Sequence, residues 1–414
     1  TLSRGAAGRV CLRPQGRRGG SAIIVERRPP PLPKMTPFEK LRKSRRRKRF
    51  FRRALGLLVL LTLSAAATIT VAIIYQLDLR SGLENTIASM KSGPGFPVSL
   101  SEMSPQALLP MGGDVAVATS SGAYLYNSSG ARLNSCLNNY RTPQFKAAGG
   151  KLLSYDLGGN GLRVDNKAKN LYSETFSGTL LAADLAGTGA LAVVQTTPGA
   201  SALVSAYNPR FELMYSWTVQ DSYITGVSLS LRGEMMSCAG LTMEGQHIVS
   251  YLRLHHFDQD TEAAKVPLSD EVIASMVWTD AEEIQVVTDK NLYLFDSWGE
   301  QLAKVSLPNQ LLTFENCPGA LYIAFGDYRD PGGVTILAYD GELEKVGSAT
   351  VSRRLLSLSA DGDHLLALTE GELYLGDPLL RELKPRGRGD LYLVALAGNH
   401  IYGLTPDGLI WDTL

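Results

Sequence analysis

One pattern recurs from residue 115 to the C-terminus: an apolar strand, a tight turn, and a second apolar strand that ends in Asp or Asn. It is clearest in VAVATSSGAYLYNSSGARL from Val115, IQVVTDKNLYLFDSWGEQL from Ile284, LLALTEGELYLGDPLLREL from Leu365 and IYGLTPDGLIWDTL from Ile401. The polar residues that end the second strand are Asn127, Asp165, Asn208, Asp258, Asp296, Asp340, Asp377 and Asp412. Successive members lie 35 to 50 residues apart, which is about the length of one four-stranded blade of a β-propeller.

Eight such hairpins predict an all-β, eight-bladed β-propeller over residues 96–414. The last hairpin ends at Asp412 and leaves almost no chain for an outer strand, whereas the segment FPVSLSEM at 96–103 has no partner in the first blade. Pairing these two segments would close the ring and remove two open sheet edges. A seven-bladed ring is the alternative, if the weakest unit, 209–258, is irregular.

The recurring Asp and Asn residues are interpreted as structural turn positions. Their short polar side chains bond the backbone two residues further on and tolerate turn conformations. A row of catalytic carboxylates is the competing interpretation. Because turn chemistry alone accounts for the pattern, no catalytic residue is predicted.

A second feature, the uncharged run at residues 54–77, predicts one N-terminal transmembrane helix. The run has 24 residues, and a helix needs about 20 to cross the hydrocarbon core. Ten of the fourteen residues in 40–53 are Lys or Arg, and such residues stay on the cytoplasmic side. The domain 78–414 is therefore expected outside the cell membrane. A signal peptide cleaved near Ala67 is the competing interpretation, although the apolar run continues past that residue.

The remaining segments have expected roles of their own. Residues 1–53 hold 18 Lys and Arg against 2 Asp and Glu and are expected to form a disordered, basic cytoplasmic tail. Within it, 1–34 precede Met35 and are either part of that tail or not translated. Residues 78–95 are expected to form a juxtamembrane helix and linker. The outer domain holds 23 basic and 38 acidic residues, a net charge of −15, which disfavours nucleic acid as a partner.

The combination of a basic tail, one apolar span and an outer propeller resembles an uncharacterised family of Gram-positive bacterial single-pass membrane proteins. The repeats are also similar to the quinoprotein-like, YVTN-like and WD40-like propellers, which include pyrroloquinoline-quinone dehydrogenases and lipoprotein scaffolds of membrane-protein assembly. Enzymes of that superfamily stack their cofactor on a Trp and use an adjacent Cys pair, a calcium site and an Asp base. Here the four Trp are scattered and no two Cys are adjacent. The resemblance therefore implies the fold and no cofactor.

Asp184 is the one candidate metal ligand, and a weak one. It lies in AADLAGTGALAVV (182–194), which resembles the calcium loops of integrin-type propeller repeats, with a pattern near D-x-D-G-D-G. Calcium needs several oxygen ligands at alternating loop positions. Ala186 and Thr188 replace the next two acidic positions, so the turn is expected without the metal.

The cysteines and histidines supply no set of residues at metal-ligand spacing. Cys136, Cys238 and Cys317 include no CxxC motif and are expected to be buried thiols, with one disulfide left open. His255 and His256 are adjacent on a predicted strand, so their side chains point to opposite faces and cannot readily share a metal.

A propeller presents loops around a central channel on a rigid scaffold. The sequence therefore favours a membrane-anchored, extracytoplasmic binding or scaffold module with a protein or envelope-polymer partner. The alternative is a hydrolase or lyase that acts on envelope glycans. Acidic and aromatic side chains clustered in one channel mouth would favour the enzyme, whereas an apolar patch on smooth loops would favour the binder.

Overall fold

The computed structural model describes residues 55–62, 64–66, 68, 79–100, 103–279, 281–308, 310–317, 319–327 and 330–414. The chain divides into two compact units, Thr1–Ile69 and Thr70–Leu414. In the first unit, the described residues between 55 and 68 are helical. The predicted basic tail and most of the predicted span 54–77 lie outside the described residues. Among those that are described, no helix combines the length and the apolar character needed to cross a membrane.

The second unit begins with a helix and continues entirely in antiparallel strands. The helix α1 (Leu79–Ser89) lies within the segment for which a short helix is expected. The first four sheets each contain four strands in chain order. Their strands are β1 (Pro105–Met111), β2 (Asp114–Thr119), β3 (Gly122–Tyr126), β4 (Arg132–Leu137), β5 (Pro143–Ala148), β6 (Lys151–Asp156), β7 (Gly161–Asn166), β8 (Asn170–Thr175), β9 (Leu180–Leu185), β10 (Leu191–Thr197), β11 (Ala200–Tyr207), β12 (Leu213–Val219), β13 (Tyr223–Leu229), β14 (Met235–Glu244), β15 (His247–His256) and β16 (Ala264–Ser269).

The last four sheets repeat the arrangement, except that the eighth has only three strands of its own. The strands are β17 (Ile273–Trp278), β18 (Ile284–Thr288), β19 (Asn291–Phe295), β20 (Gln301–Ser306), β21 (Leu311–Cys317), β22 (Ala320–Asp327), β23 (Asp330–Asp340), β24 (Lys345–Val351), β25 (Leu355–Ala360), β26 (Leu365–Thr369), β27 (Glu372–Gly376), β28 (Leu383–Pro385), β29 (Leu393–Ala397), β30 (His400–Thr405) and β31 (Gly408–Thr413). These eight sheets are the blades of an eight-bladed propeller, as predicted. The seven-bladed alternative is wrong, because the unit that contains 209–258 folds into a regular blade.

The strands of each blade are named A to D in chain order. The A strands of successive blades contact one another and therefore line the central channel. Middle strands such as β18 (IQVVT), β19 (NLYLF) and β26 (LLALT) are buried along their whole length. The outer strand β20 alternates between exposed and partly buried residues. Each middle strand is covered by blades on both faces, which is why the sequence shows continuous apolar runs there.

The N-terminal segment takes the place of the missing D strand in blade 8. Val98 forms an antiparallel bridge with Leu409, with N–O distances of 2.8 and 2.9 Å. Phe96 stacks on Trp411 at 6.0 Å between ring centroids, and Leu100 is 5% exposed. The expected closure is thus present, although the regular pairing is limited to one residue pair.

Two glycines show that this closure is equivalent to an ordinary blade. Gly122 opens the C strand of blade 1 with a φ of 136°, and a Cβ there would overlap the carbonyl oxygen of Cys136 in the D strand. Gly408 opens the C strand of blade 8 with a φ of 143°, and a Cβ there would overlap the carbonyl oxygen of Val98. Both positions need glycine because a D-strand backbone lies against them.

Most of the recurring Asp and Asn residues open the C–D turns. Asn127 accepts hydrogen bonds at Oδ1 from the backbone N–H of Ser129 and Ala131, at 3.1 and 2.9 Å. Asn208, Asp296 and Asp340 accept the same two bonds, and Asp377 accepts the second. The residue three positions after each of these five has a positive φ: Gly130, Phe211, Gly299, Leu343 and Leu380. The unit is a type I turn followed by a left-handed residue, which adds a bulge to the D-strand pairing.

Three of the eight predicted turn positions differ from this geometry. In blade 2 the turn acceptor is Asn166, whose Oδ1 accepts from the N–H of the residues two and three further on. Asp165 is fully buried and instead binds the Arg163 guanidinium with two contacts of 2.6 Å, because alternate residues of a strand share a face. Asp258 accepts none of the hydrogen bonds found in the described part of its turn. Asp412 accepts from the N–H of Thr413 and lies 3.9 Å from the Arg388 guanidinium, instead of bonding to a C–D turn.

Because consecutive strands run in opposite directions, A–B and C–D turns lie at one end of the ring, and B–C turns and D–A connections lie at the other. Helix α1 packs on the first of these ends, at blades 1 and 2. Asn85 is 8% exposed, donates to the Gly150 carbonyl at 3.0 Å and accepts from the Lys167 N–H at 3.0 Å. Asn127 donates to the Ser89 carbonyl at 2.9 Å. We name this the α1 end of the ring, and the opposite one the open end.

A buried ion pair reinforces the position of α1. The Lys167 ammonium lies 2.6 Å from the Asp114 carboxylate, and the two side chains are 11% and 8% exposed. The Ser89 hydroxyl bonds the same carboxylate and accepts from Lys167 at 3.2 Å. In the middle of the helix, Glu84 pairs with Lys169 at 2.8 Å. The Lys167–Asp114 pair joins blades 1 and 2, and the Ser89 hydroxyl attaches the end of α1 to it. Removing one partner of the pair would leave an uncompensated buried charge.

Candidate functional site

The open end is dominated by one long hairpin in blade 4. Strands β14 and β15 pair along ten residues each, from Met235–His256 to Glu244–His247. The inner strand β13 covers β14 only as far as Leu241, and the outer strand β16 covers β15 only from Val249. The tip of the hairpin, residues 242–248, therefore projects beyond the other strands of its blade.

Apolar side chains are exposed on the side of this hairpin that faces blade 5. Met243 and Ile248 are directly paired, and they are 62% and 41% exposed. Tyr223, 74% exposed, pairs with Leu241, so it lies on the same side two residues from Met243. Val272, 40% exposed, begins the approach to blade 5 two residues after Asp270, whose N–H donates to the Ile248 carbonyl. We name Tyr223, Met243, Ile248 and Val272 the hairpin patch.

A shallow polar cavity adjoins the patch. It has a volume of about 490 Å³ and is lined by the B–C turn of blade 3 and the D–A connection that follows, including Thr196, Ser201, Gln220 and Tyr223. Tyr223 thus belongs to both the apolar patch and the cavity wall. An exposed aromatic ring between an apolar ridge and hydroxyl and amide groups is the arrangement that contact surfaces for proteins favour.

The other side of the hairpin, which faces blade 3, carries a buried arginine. Arg253 is 2% exposed, and its guanidinium binds Asp221 and Ser222 of the D–A connection. It also contacts Glu262 at 3.1 Å and lies over the Trp217 ring at 5.2 Å from the centroid. These contacts join the hairpin to the residues just before Tyr223, so they fix the geometry of the patch.

Burial and the Arg253 guanidinium together shift the pKa values of the neighbouring side chains. The guanidinium holds the pKa of Asp221 well below its usual range, chiefly through their hydrogen bond. Burial raises the pKa of Glu262, although Arg253 opposes that effect. Burial, with the adjacent Arg253 charge, lowers the pKa of His255 to about 4. His255 is therefore neutral at physiological pH, where it hydrogen-bonds the Tyr215 hydroxyl at 3.0 Å.

Asp184 is not placed as a free metal ligand. It lies in β9 with 2% exposure and accepts from the N–H of Leu229 at 2.6 Å and of Leu185 at 2.7 Å. Lys146, in the A strand of blade 2, contacts the same carboxylate and extends towards a channel cavity of about 220 Å³ that Thr225 also lines. Two N–H groups and an ammonium occupy the carboxylate oxygens, which would have to be freed before they could bind calcium.

A second carboxylate on the channel strands, Glu315 in β21, belongs to blade 6. Its pKa is raised to about 7 because the half-buried carboxyl is desolvated, and a hydrogen bond from the Ala360 backbone only partly offsets that effect. The sequence gives no signal for this residue, since no motif surrounds it. Its burial depends on blade 7, which is remote along the chain.

The other residues considered from the sequence are dispersed. Cys136, Cys238 and Cys317 are buried free thiols. His255 lies 4.2 Å from Trp217 and His256 lies 4.4 Å from Trp298, centroid to centroid, on opposite faces of β15. Across the described ranges, no group of three His, Cys, Asp or Glu side chains lies close enough together to hold a metal ion.

The hairpin patch was not predicted from the sequence. One signal for it exists: the interval from Asn208 to Asp258 is 50 residues, the longest of the series. The extra residues lengthen β14 and β15 rather than making the unit irregular. A long interval in an otherwise regular repeat thus marks the blade whose hairpin projects.

These features define an eight-bladed, WD40-like propeller with an exposed patch on one end. The model of a family of unknown function, DUF5711, matches residues 98–377, more than half of the chain, so the protein belongs to that family. The match starts at Val98, the residue that closes the ring.

The chain is similar to solved propeller structures at low sequence identity. The C-terminal WD40 domain of Sif2 is 10% identical, with a TM-score of 0.53; the alignment covers 75% of this chain and 98% of that one. BamB from Moraxella catarrhalis is 12% identical, with a TM-score of 0.49, covering 76% of this chain and 98% of that one. No curated protein matches the sequence significantly.

Proposed function

We propose that this protein is a membrane-anchored binding module that uses the hairpin patch to hold a protein partner outside the cell membrane. The observation that carries the proposal is the patch itself. Four large apolar side chains, each at least 40% exposed, lie on or beside the projecting hairpin: Met243 and Ile248 at its tip, Tyr223 at the start of β13 and Val272 in the connection to blade 5. Contiguous apolar surface of this kind marks interaction sites on soluble domains.

The anchor is supported by the first unit and by the sequence around it. The described helical residues 55–62 include Leu55, Leu57, Leu58 and Leu60, which are 59–68% exposed. A helix that is apolar all round needs a surrounding apolar phase. The ten basic residues in 40–53 support an orientation with the N-terminus in the cytoplasm and the propeller outside. The protein is thus a single-pass cell-membrane protein in this proposal.

The charges beside the patch indicate the chemistry of the partner. Asp270, Asp289 and Glu244 flank it, and the Asp270 side chain is 53% exposed. The outer domain as a whole has a net charge of −15. We therefore expect a polypeptide that presents an apolar anchor residue between Lys or Arg residues, since opposite charges at the rim favour encounter and register. An anionic envelope polymer would be repelled.

The structure gives less support to a glycan hydrolase or lyase. Such enzymes use two carboxyl groups about 5–9.5 Å apart. The two carboxylates on the described channel strands, Asp184 and Glu315, belong to blades 3 and 6. Asp184 is also engaged by Lys146 and by the Leu229 N–H. The binding role is therefore the one that the geometry favours.

Site-specific photocrosslinking in cells that express the full chain tests the proposal. A photoreactive phenylalanine analogue in place of Met243 should give one crosslinked adduct of defined mass. The double variant Tyr223→Ser and Ile248→Ser should reduce the adduct at least about tenfold, because it removes two of the four apolar contacts.

The matched control places the same analogue at Leu231, which is 46% exposed in the A–B turn of the same blade, at the α1 end. It should give no such adduct. Equal adducts at both positions, or none at Met243, would contradict the use of the patch. A screen of envelope glycans that detected turnover by the purified full chain would favour the enzyme instead.

A further inference from the structure

We infer that α1 is an interfacial helix whose outward side lies on the membrane surface. The helix has two chemically different sides. The side towards the propeller carries the polar residues Glu84, Asn85 and Ser89, all of which bond to blades 1 and 2. The inference rests on the proposed anchor, and it adds the orientation of the propeller and a lipid contact.

The outward side of α1 carries Leu83 and Ile87, and Met90, the residue after the helix, continues the same apolar stripe. Leu83, Ile87 and Met90 are 63%, 62% and 79% exposed. Positions i, i+4 and i+7 lie on one face of an α-helix, roughly opposite Asn85 and Ser89. These side chains do not attach α1 to the propeller, because Glu84, Asn85 and Ser89 on its polar side already do so. Three adjacent apolar groups left in water would instead cost free energy.

The occupant of this stripe is indicated by where the chain comes from. The predicted span ends at Leu77, and α1 begins at Leu79. Two trans peptide units extend at most about 7–8 Å, so in the proposed anchor the start of α1 would lie at the membrane–water interface. An amphipathic helix at that depth buries its apolar side among lipid acyl chains.

The position of α1 then sets which end of the propeller faces the membrane. The α1 end is proximal, and the open end, which carries the hairpin patch, is distal. The C–D turns of blades 5 and 6 at the α1 end carry acidic residues, including Asp296, Glu300, Asp340 and Glu344. Acidic turns are repelled by anionic headgroups, so lipid contact is confined to the side of blades 1 and 2.

Fluorescence quenching by brominated lipids tests the orientation in the full chain. The protein is reconstituted in phosphatidylcholine vesicles with Cys11→Ser, and an environment-sensitive dye is attached to Ile87→Cys. The three remaining cysteines are buried and react slowly in the folded protein. Lipids brominated near the headgroup end of the acyl chain should reduce the dye emission about twofold or more, because residue 87 is expected within the interface. The matched control is Tyr223→Cys, which is 74% exposed at the open end and should not be quenched.

Each outcome separates the inference from the anchor on which it rests. Flotation with the vesicles and quenching at residue 87 alone support both. Flotation without quenching at residue 87 leaves the anchor intact and overturns the interfacial helix. Quenching at residue 223 as well overturns the orientation. Failure to float overturns the anchor, and the inference falls with it.

Discussion

Glu315→Gln should stabilise the protein at alkaline pH and have little effect at acidic pH. In the folded protein burial raises the pKa of Glu315 from 4.5 to about 7. The ionised carboxylate is therefore disfavoured inside the propeller. Glutamine keeps an acceptor for the backbone of Ala360 and cannot ionise, so it removes the penalty without leaving that contact unmet.

The magnitude follows from linkage. Below pH 4.5 the acid is protonated in both states, and the folded state carries no penalty. As the pH rises through 4.5 towards about 7, the unfolded chain ionises first, and the folded state loses relative stability. Each pKa unit is worth 1.36 kcal/mol, so the loss above pH 7 approaches about 3 kcal/mol. Some water penetration at the channel reduces this figure, which is an upper value.

Urea unfolding of the full chain in detergent micelles, followed by tryptophan fluorescence, measures the difference. Glu315→Gln should raise the free energy of unfolding by about 2–3 kcal/mol at pH 8 and by less than about 1 kcal/mol at pH 5. Glu300→Gln, at an exposed turn position, should change it by less than about 0.5 kcal/mol at both. An equal gain in stability at both pH values, or a loss at pH 8, would contradict the raised pKa of Glu315.

Four further substitutions probe the fold by urea unfolding. Gly408→Ala should lower the free energy of unfolding by at least about 2 kcal/mol, because it adds a Cβ against a D-strand carbonyl at positive φ. Gly122→Ala, in the equivalent position of blade 1, should lower it by a similar amount. No change in Gly408→Ala would mean that the ring closes elsewhere. Lys167→Met should cost about 3–5 kcal/mol, since it leaves Asp114 buried without its cation. Glu282→Gly should gain about 0.5–1 kcal/mol, because this exposed residue has a φ of 61°; a loss would contradict the strain argument.

The blade count could be predicted because the repeat is a local property of the chain. Each hairpin ends in a polar residue that the C–D turn needs, and Asn127, Asn208, Asp296 and Asp340 make the same two backbone bonds. The closure was predictable from chain left over at both ends. In blade 2 the predicted turn position was wrong by one residue. Asn166 accepts the turn hydrogen bonds, and the buried Asp165 carboxylate binds the Arg163 guanidinium instead.

The candidate site was less accessible to sequence reasoning, because exposure depends on neighbours that are distant in the chain. In the sequence, Met243 and Ile248 have the pattern of ordinary strand residues. They are exposed because β13 and β16 end before they reach them. The stripe on α1 has the same origin. Leu83 and Ile87 show helical spacing, but their outward direction follows from the docking of Asn85 on blade 2.

We propose that the hairpin patch, at the open end of the propeller, is covered by a protein partner. Labelling rates with a membrane-impermeant maleimide measure this directly, with Met243→Cys and Leu231→Cys compared in intact cells and in the purified full chain. We expect Met243→Cys to react at least about fivefold more slowly in cells than after purification, because a bound partner excludes the reagent. Leu231→Cys should react at similar rates in both. Equal rates for Met243→Cys in cells and in purified protein would contradict the claim.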